Sequence, residues 1–295
     1  MPWLELSLIV AAGKEAEVES ALEEVGALSV TLLDAEDHPI LEPAPGETPL
    51  WPQIAMSALF DAGTDRIGLV HVLTELVPDL APEQIGFRSV EDRDWTRVWM
   101  DQFHPMRFGR RLWIYPWNSE LAIDDDDAVV VRLDPGLAFG TGTHPTTALC
   151  LEWLDARDLV GKRVVDYGCG SGVLAIAALK LGAAHVVGVD NDPQALAASR
   201  DNAERNGVAA NLGLCTPEAF DEEPADALVA NILAGPLEEL AVRFAKHVKP
   251  GGDIALSGIL RGQEDAVCER YAAWFEEIVI ETRDDWVRVS ARRRH

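Results

Sequence analysis

The chain has 295 residues, enough for about two domains, and its 48% apolar and 25% charged composition excludes disorder as the dominant state. Fifty Asp and Glu against 25 Lys and Arg leave a net charge of −25, so no direct nucleic-acid partner is expected, because that class carries a basic footprint. The same acidity suits either steering of a basic partner or a plain acidic surface with none.

At the N-terminus, MPWLELSLIV has no basic leader region, and residues 3–10 alternate as a half-buried strand does. Residues 14–25 space Val18, Leu22 and Val25 among glutamates, which predicts a helix. A strand (27–33), a Pro-rich loop (38–52), a strand (54–60), a helix (65–76) and a strand (87–91) follow. This β-α-β-β-α-β order is the split βαβ pattern of a ferredoxin-like domain. Residues 1–90 hold 16 acids against 3 bases, a net of −13, and nothing in them looks catalytic.

Residues 93–117 differ in kind: Trp95, Trp99, Trp113 and Trp117 interleave with Arg93, Arg97, Arg107, Arg110 and Arg111. Such a pattern can stack on single strands of nucleic acid, but the acidity of the rest favours a connector whose rings pack and whose arginines pair with acids. The run Asp124 to Asp127 reads as a solvated loop. From about residue 129 strands alternate with helices: 164–167, 173–181, 185–190, 193–206, 227–231, 236–248, 253–257 and 264–275, then a closing hairpin of 277–281 and 286–291. Alternation of this kind predicts an α/β fold with a doubly wound, mostly parallel sheet. The apolar stretch at Val173–Leu179 is far too short to span a bilayer, so no membrane partner is expected. Cys150, Cys169, Cys215 and Cys268 stand far apart with no metal-ligand spacing. A reducing cytoplasm, with neither a disulfide framework nor a bound metal, is the expected setting.

Three segments carry chemistry. The strand 163–165 runs into Asp166-Tyr167-Gly168-Cys169-Gly170-Ser171-Gly172 and then a helix, with Asp190 ending the next strand. Glycines there permit a tight turn and close approach of a ligand, and Asp190 can hold ribose hydroxyls. The G-x-G-x-G spacing, preceded by Asp166, suits the ammonium of S-adenosylmethionine and would repel the pyrophosphate of a dinucleotide, which sets the nicotinamide-oxidoreductase alternative second. Cys169 reads as a small packed residue, not a nucleophile. A second glycine-rich segment, 134–147, leads into a helix with Thr143 expected as N-cap and Pro145 in its first turn. The third is Ala230-Asn231-Ile232-Leu233-Ala234-Gly235-Pro236, at the end of the fourth strand of the sheet. The Asn231 amide can accept from a neutral amine, where an Asp would favour the unreactive ammonium. That difference matters: deprotonating a lysine at pH 7 costs about 4.6 kcal/mol and an α-amine about 1.4 kcal/mol. Asn231 could equally cap the following helix, and His144 could equally be a base, a substrate contact or structural.

Together DYGCGSG, the acid of GVDNDP, ASRDNAERNG, ANILAGPL and DPGLAFGTGTHPTT resemble the bacterial PrmA family, methyltransferases of the eleventh protein of the large ribosomal subunit. MPW at the start, PGETPLW in the loop and DQFHPMRFG in the connector extend the resemblance along nearly the whole chain. It implies a ferredoxin-like substrate-recognition domain (1–92), a linker (93–128) and a Rossmann-like class I methyltransferase domain (129–295). It also implies S-adenosyl-L-methionine as cofactor, and lysine side chains and the N-terminal α-amine of a basic ribosomal protein as acceptors. Matched position by position, Thr147, Gly168, Asp190 and Asn231 bind the cofactor, with Phe139, Gly170 and His144 in the same segments; Asn231 and His144 are the candidate catalytic residues. A monomer is expected. One departure is that the strand near Leu212 is followed by Cys215-Thr216-Pro217-Glu218 with no obvious acid for the adenine amine.

Overall fold

The computed structural model describes residues 3–36, 51–90, 104–117, 119, 123, 125–133, 144–221 and 223–295. Two units, Met1–Trp95 and Thr96–His295, divide the chain.

In the first unit strict alternation builds strand β1 (Trp3–Ala11), whose Leu4, Leu6, Leu8 and Val10 face inward. Helix α1 (Glu15–Glu24) buries Val18, Ala21 and Leu22, and its acidic first turn suits the positive end of the helix dipole. Strands β2 (Ser29–Asp34) and β3 (Gln53–Asp61) follow. Helix α2 (Arg66–Leu76) is capped by Asp65, which accepts from the Ile67 amide at 3.1 Å. Strand β4 (Gly86–Val90) completes the sheet, in the order β2-β3-β1-β4 with every neighbour antiparallel. This is the split βαβ arrangement. Leu69 and Leu73 of α2 and Leu22 of α1 close over one face of the sheet, where each buried aliphatic side chain contributes about 1.5–3 kcal/mol.

The second unit opens with a small sheet, β5 (Met106–Phe108), β6 (Leu112–Tyr115) and β7 (Val129–Arg132), in that order. Helix α3 (Pro145–Asp155) comes next. The main run is β8 (Arg163–Tyr167), α4 (Val173–Lys180), β9 (His185–Val189), α5 (Pro193–Arg205), β10 (Leu212–Cys215), β11 (Ala225–Asn231), α6 (Ala234–His247) and β12 (Val248–Leu260). Helix α7 (Glu264–Tyr271) and strands β13 (Phe275–Arg283) and β14 (Trp286–Arg293) end the chain. The sheet order is β10-β9-β8-β11-β12-β14-β13, parallel through β12, with β14 antiparallel to both of its neighbours. Strand order reverses between β8 and β11, and ligands of such sheets bind beyond the strand ends at that reversal. Helices on both faces leave β8 and β9 buried beyond their first residues, Arg163 and His185, and α4 is buried from Val173 to Leu179.

The described part of the segment expected to be a connector contributes to this core. Phe108, Leu112 and Ile114 pack in one cluster with Leu154, Leu159 and Ile176. The alternation Leu112-Trp113-Ile114 is a strand signal that the Trp and Arg content obscures. Of its arginines, Arg111 pairs with an acid as expected, meeting Asp155 at 3.4 Å, whereas Arg107 lies over the Trp113 ring and donates to the Arg110 carbonyl; Arg93 and Arg97 lie outside the described residues. Among the described residues no helix is long and apolar enough to cross a membrane. The four cysteines are free thiols.

Candidate active site

Strand β8 delivers Asp166 and Tyr167 to the sheet edge, and the chain then turns through Gly168, Gly170 and Gly172, all at positive φ (80°, 53° and 79°). At Gly168 the requirement is double, since a Cβ there would also lie 2.2 Å from Cγ2 of Ile232. The Gly168 and Cys169 amides both donate to the Val189 carbonyl, at 2.7 and 3.0 Å, which pins the turn to the end of β9. Asp190 follows directly. One of its carboxylate oxygens accepts from the Gly170 amide at 2.8 Å and the other from the Asp192 amide at 3.0 Å. The acid at the end of β9 thereby shapes the glycine turn as well as standing beside it.

Asp166 is wholly buried. Its Oδ2 accepts from the Ala175 amide, in the first turn of α4, at 2.9 Å, and Oδ1 has no hydrogen-bond partner. Burial pushes its carboxyl up to about 7, the Ala175 bond opposes the shift, and the neighbouring Asp190 adds to it. A buried anionic oxygen without a partner is a place for a cation. Cys169 is buried, and burial raises its thiol well above the ordinary range. It is therefore a packed small residue and not a thiolate.

Across the crevice, α3 brings Thr147 to the end of β11. Thr147 is fully buried, and its hydroxyl accepts from the Asn231 carboxamide (Nδ2) at 3.3 Å. Asn231 does not cap α6: Leu233 holds that position, with no side-chain cap. Ile232, next in the chain, donates its amide to Ser257 of β12 at 3.1 Å. A bulge in β12 at Gly258 (φ 88°) lets the backbone of Ile232 approach closely, since a Cβ there would meet its carbonyl oxygen at 2.2 Å.

His144, and not Thr143, is the N-cap of α3, because Pro145 occupies the first helical position. Its Nδ1 accepts from the Thr146 amide at 3.4 Å and lies 2.7 Å from the Thr146 hydroxyl. The ring stands edge-on to Trp286, with centroids 4.8 Å apart. Burial lowers the His144 pKa, so the imidazole is neutral at pH 7, and capping through Nδ1 leaves its proton on Nε2. As a cap His144 is an acceptor already in use. Helix α3 is also tied down from below: the buried Arg288 of β14 donates to the Leu149 carbonyl at 2.8 Å while pairing with Glu281 at 2.8 Å.

Of the residues expected from the sequence, Gly168, Gly170, Asp190, Thr147, Asn231 and His144 are thus placed on strand ends and helix starts at one edge of the sheet. Phe139 lies outside the described residues, as does the rest of Asp134–Thr143. Sequence reasoning missed the polar face of α5. Ser199 donates to the Gly170 carbonyl at 2.9 Å and Asn202 to the Ser171 carbonyl at 2.9 Å, so the helix braces the turn from outside. Their spacing within ASRDNAERNG, three residues apart on one helical face, was the available signal. Beyond β10, burial does not reach Glu218, whose own amide and the Thr216 hydroxyl hold its carboxyl below the ordinary range.

The family model described as ribosomal protein L11 methyltransferase (PrmA) matches residues 2–294. A ribosomal protein L11 methyltransferase of Xanthomonas axonopodis is 53% identical over 305 aligned positions, covering 100% of both chains. One from Pseudomonas paraeruginosa is 54% identical, covering 100% of this chain and 99% of its own. Among solved structures, a ribosomal protein L11 methylase of Lactobacillus delbrueckii is 31% identical with a TM-score of 0.59, covering 65% of this chain and 99% of the other.

Proposed function

The chain belongs to the ribosomal protein L11 methyltransferase family, and from that premise we propose that it methylates lysine side chains and the N-terminal α-amine of ribosomal protein L11. It is an S-adenosylmethionine-dependent methyltransferase with a Rossmann-like class I fold. The observation that carries the assignment of roles is the Asn231–Thr147 bond beside the glycine turn.

The residues present fit the cofactor. Asp190 stands at the end of β9 beside the glycine turn, ready for ribose hydroxyls, and the unpartnered Oδ1 of Asp166 answers a cation. When bound, S-adenosylmethionine supplies a methyl group on a cationic sulfonium, which passes to a neutral amine as the C–S bond breaks and an N–C bond forms. The protein's part is to present that amine with its lone pair free. Asn231 spends an N–H on Thr147, which leaves Oδ1 as the acceptor for an amine N–H. A neutral carboxamide does this without stabilising the ammonium, as an Asp would. His144 holds the start of α3, and with it Thr147, in place.

Residues 1–92 serve as the recognition element in this reading. Their surplus of acids suits capture of a basic ribosomal protein at rates raised by electrostatic steering. The enzyme acts as a cytoplasmic monomer without direct nucleic-acid contact. Mass spectrometry of ribosomal protein L11 after incubation with enzyme and S-adenosylmethionine tests the reading. Mass increments of whole methyl groups on lysines and the N-terminus are expected, and an unmodified protein would refute it.

A further inference from the structure

Helix α5 carries a third polar residue on the face that braces the cofactor turn. Asn206, its C-cap, is buried and spends its whole carboxamide on backbone. Oδ1 accepts from the Arg132 amide at 2.9 Å, while Nδ2 donates to the Arg132 carbonyl at 2.8 Å and to the Asn202 carbonyl at 2.8 Å. Both N–H protons and the oxygen are in use, so the amide has one orientation only; flipped, it would set donor against donor at Arg132.

Arg132 is the last residue of β7. In the parallel pair with β6, Val129 and Leu133 donate to Arg111 and Tyr115, so Arg132 turns its N–H and C=O to the opposite side. Asn206 meets both groups there as a strand neighbour would. The guanidinium of Arg132 then holds three carbonyls, those of Pro116, Trp117 and Ser119, at 3.1–3.3 Å, and Arg132 and Arg205 both lie over the Trp117 ring. Arg132 stands two residues before Asp134, where the glycine-rich segment leading to His144 and Thr147 begins.

We propose that Asn206 is a positioning residue of the methyl-transfer site. Through Asn202 and Ser199 helix α5 grips the cofactor turn, and through Asn206 it sets the end of β7. Val131 of β7 and the neighbouring Leu133 share one core cluster with Ala148 and Leu151 of α3, the helix that carries Thr147, so one helix holds both halves of the site. This rests on the methyltransferase reading above. It predicts a division of labour along one helix face: Asn202 acts on cofactor affinity and Asn206 on turnover.

The test compares Asn206→Asp, Asn206→Ala and Asn202→Ala with the wild-type enzyme. Asn206→Asp keeps the shape but sets an oxygen against the Arg132 carbonyl. Both Asn206 variants are expected to bind S-adenosylhomocysteine within about twofold of wild type while kcat on ribosomal protein L11 falls by about 10²-fold, the scale of a misplaced reacting group. Asn202→Ala is expected to raise the dissociation constant with little change in kcat at saturating cofactor. Hydrogen exchange of the Arg132 amide gives a readout that does not need activity, and it should quicken in both Asn206 variants but not in Asn202→Ala. Wild-type kcat in Asn206→Asp, an equal loss of S-adenosylhomocysteine affinity, or unchanged exchange at Arg132 would each overturn the proposal. Absence of methyl transfer by the wild-type enzyme would strike the functional reading, with the exchange result still deciding the role of Asn206.

Discussion

Asn231 donates to the hydroxyl of Thr147 at 3.3 Å, joining the end of β11 to the first turn of α3 across 84 residues of sequence. In the proposed mechanism the bond decides which end of the carboxamide faces an incoming amine. Asn231→Ala is therefore expected to lower kcat by about 10²-fold through lost orientation. Asn231→Asp should move the rising limb of the kcat–pH profile to higher pH, because a carboxylate holds the amine as ammonium. Thr147→Val removes one neutral hydrogen bond and should cost about two- to tenfold. A wild-type pH profile for Asn231→Asp would rule out the proposed role.

Asp190 does two things at once, holding Gly170 through one oxygen and Asp192 through the other. Asp190→Ala loses charged acceptors worth about 1.5–3 kcal/mol, so the dissociation constant for S-adenosylhomocysteine should rise by about 10- to 150-fold in calorimetry. Asp190→Asn, which can satisfy only one of the two amides through oxygen, should fall between. Unchanged affinity in Asp190→Ala would remove this residue from the cofactor site.

The raised carboxyl of Asp166 makes a stability prediction with a definite sign. Its folded pKa, about 7, exceeds the ordinary carboxylate value. The folded state therefore favours the protonated form, and this contribution is complete below about pH 4, then lost as pH rises toward 7. Asp166→Asn mimics the neutral group. Without cofactor its thermal midpoint should match wild type near pH 4, exceed it increasingly up to pH 7, and keep a constant lead above. Its affinities for S-adenosylmethionine and for S-adenosylhomocysteine should fall together, because both carry the α-ammonium that Asp166 would answer. A midpoint difference independent of pH would show that the carboxyl titrates normally.

Removal of residues 1–95, the whole first unit, should leave S-adenosylhomocysteine binding within about twofold while methylation of ribosomal protein L11 drops by 10²-fold or more, about 2.7 kcal/mol of lost substrate binding. Full activity of the truncated enzyme would show that recognition lies elsewhere.

Much of this was readable before any coordinate. Alternation in residues 3–10, the strand–glycine–helix sequence at 163–173 and the acid at 190 are local patterns, and each one dictates its own geometry. The Asn231–Thr147 bond was not readable as a bond, because only the packing of α3 over β11 creates it. Residue type alone does not mark Ser199, Asn202 and Asn206 as braces, because polar side chains that satisfy another segment's backbone have the same composition as those that satisfy water. The cap at His144 was placed one residue early, since threonine is the commoner cap and the ring nitrogen of histidine serves the same purpose less often. Residues 104–117 misled through their arginines and tryptophans, which masked the core positions Phe108, Leu112 and Ile114.

Ile232 sits between two glycines, Gly168 at the end of β8 and Gly258 in the bulge of β12, and neither leaves room for even a methyl group beside it. In evolutionary terms this closes the sheet edge to exploration. Substitution at either glycine would displace the residue next to Asn231, so descendants of this enzyme that acquire new protein substrates must do so through changes elsewhere in the chain. A saturation library should show the two glycines as intolerant as Asp190, although nothing assigns Gly258 a contact with cofactor or substrate.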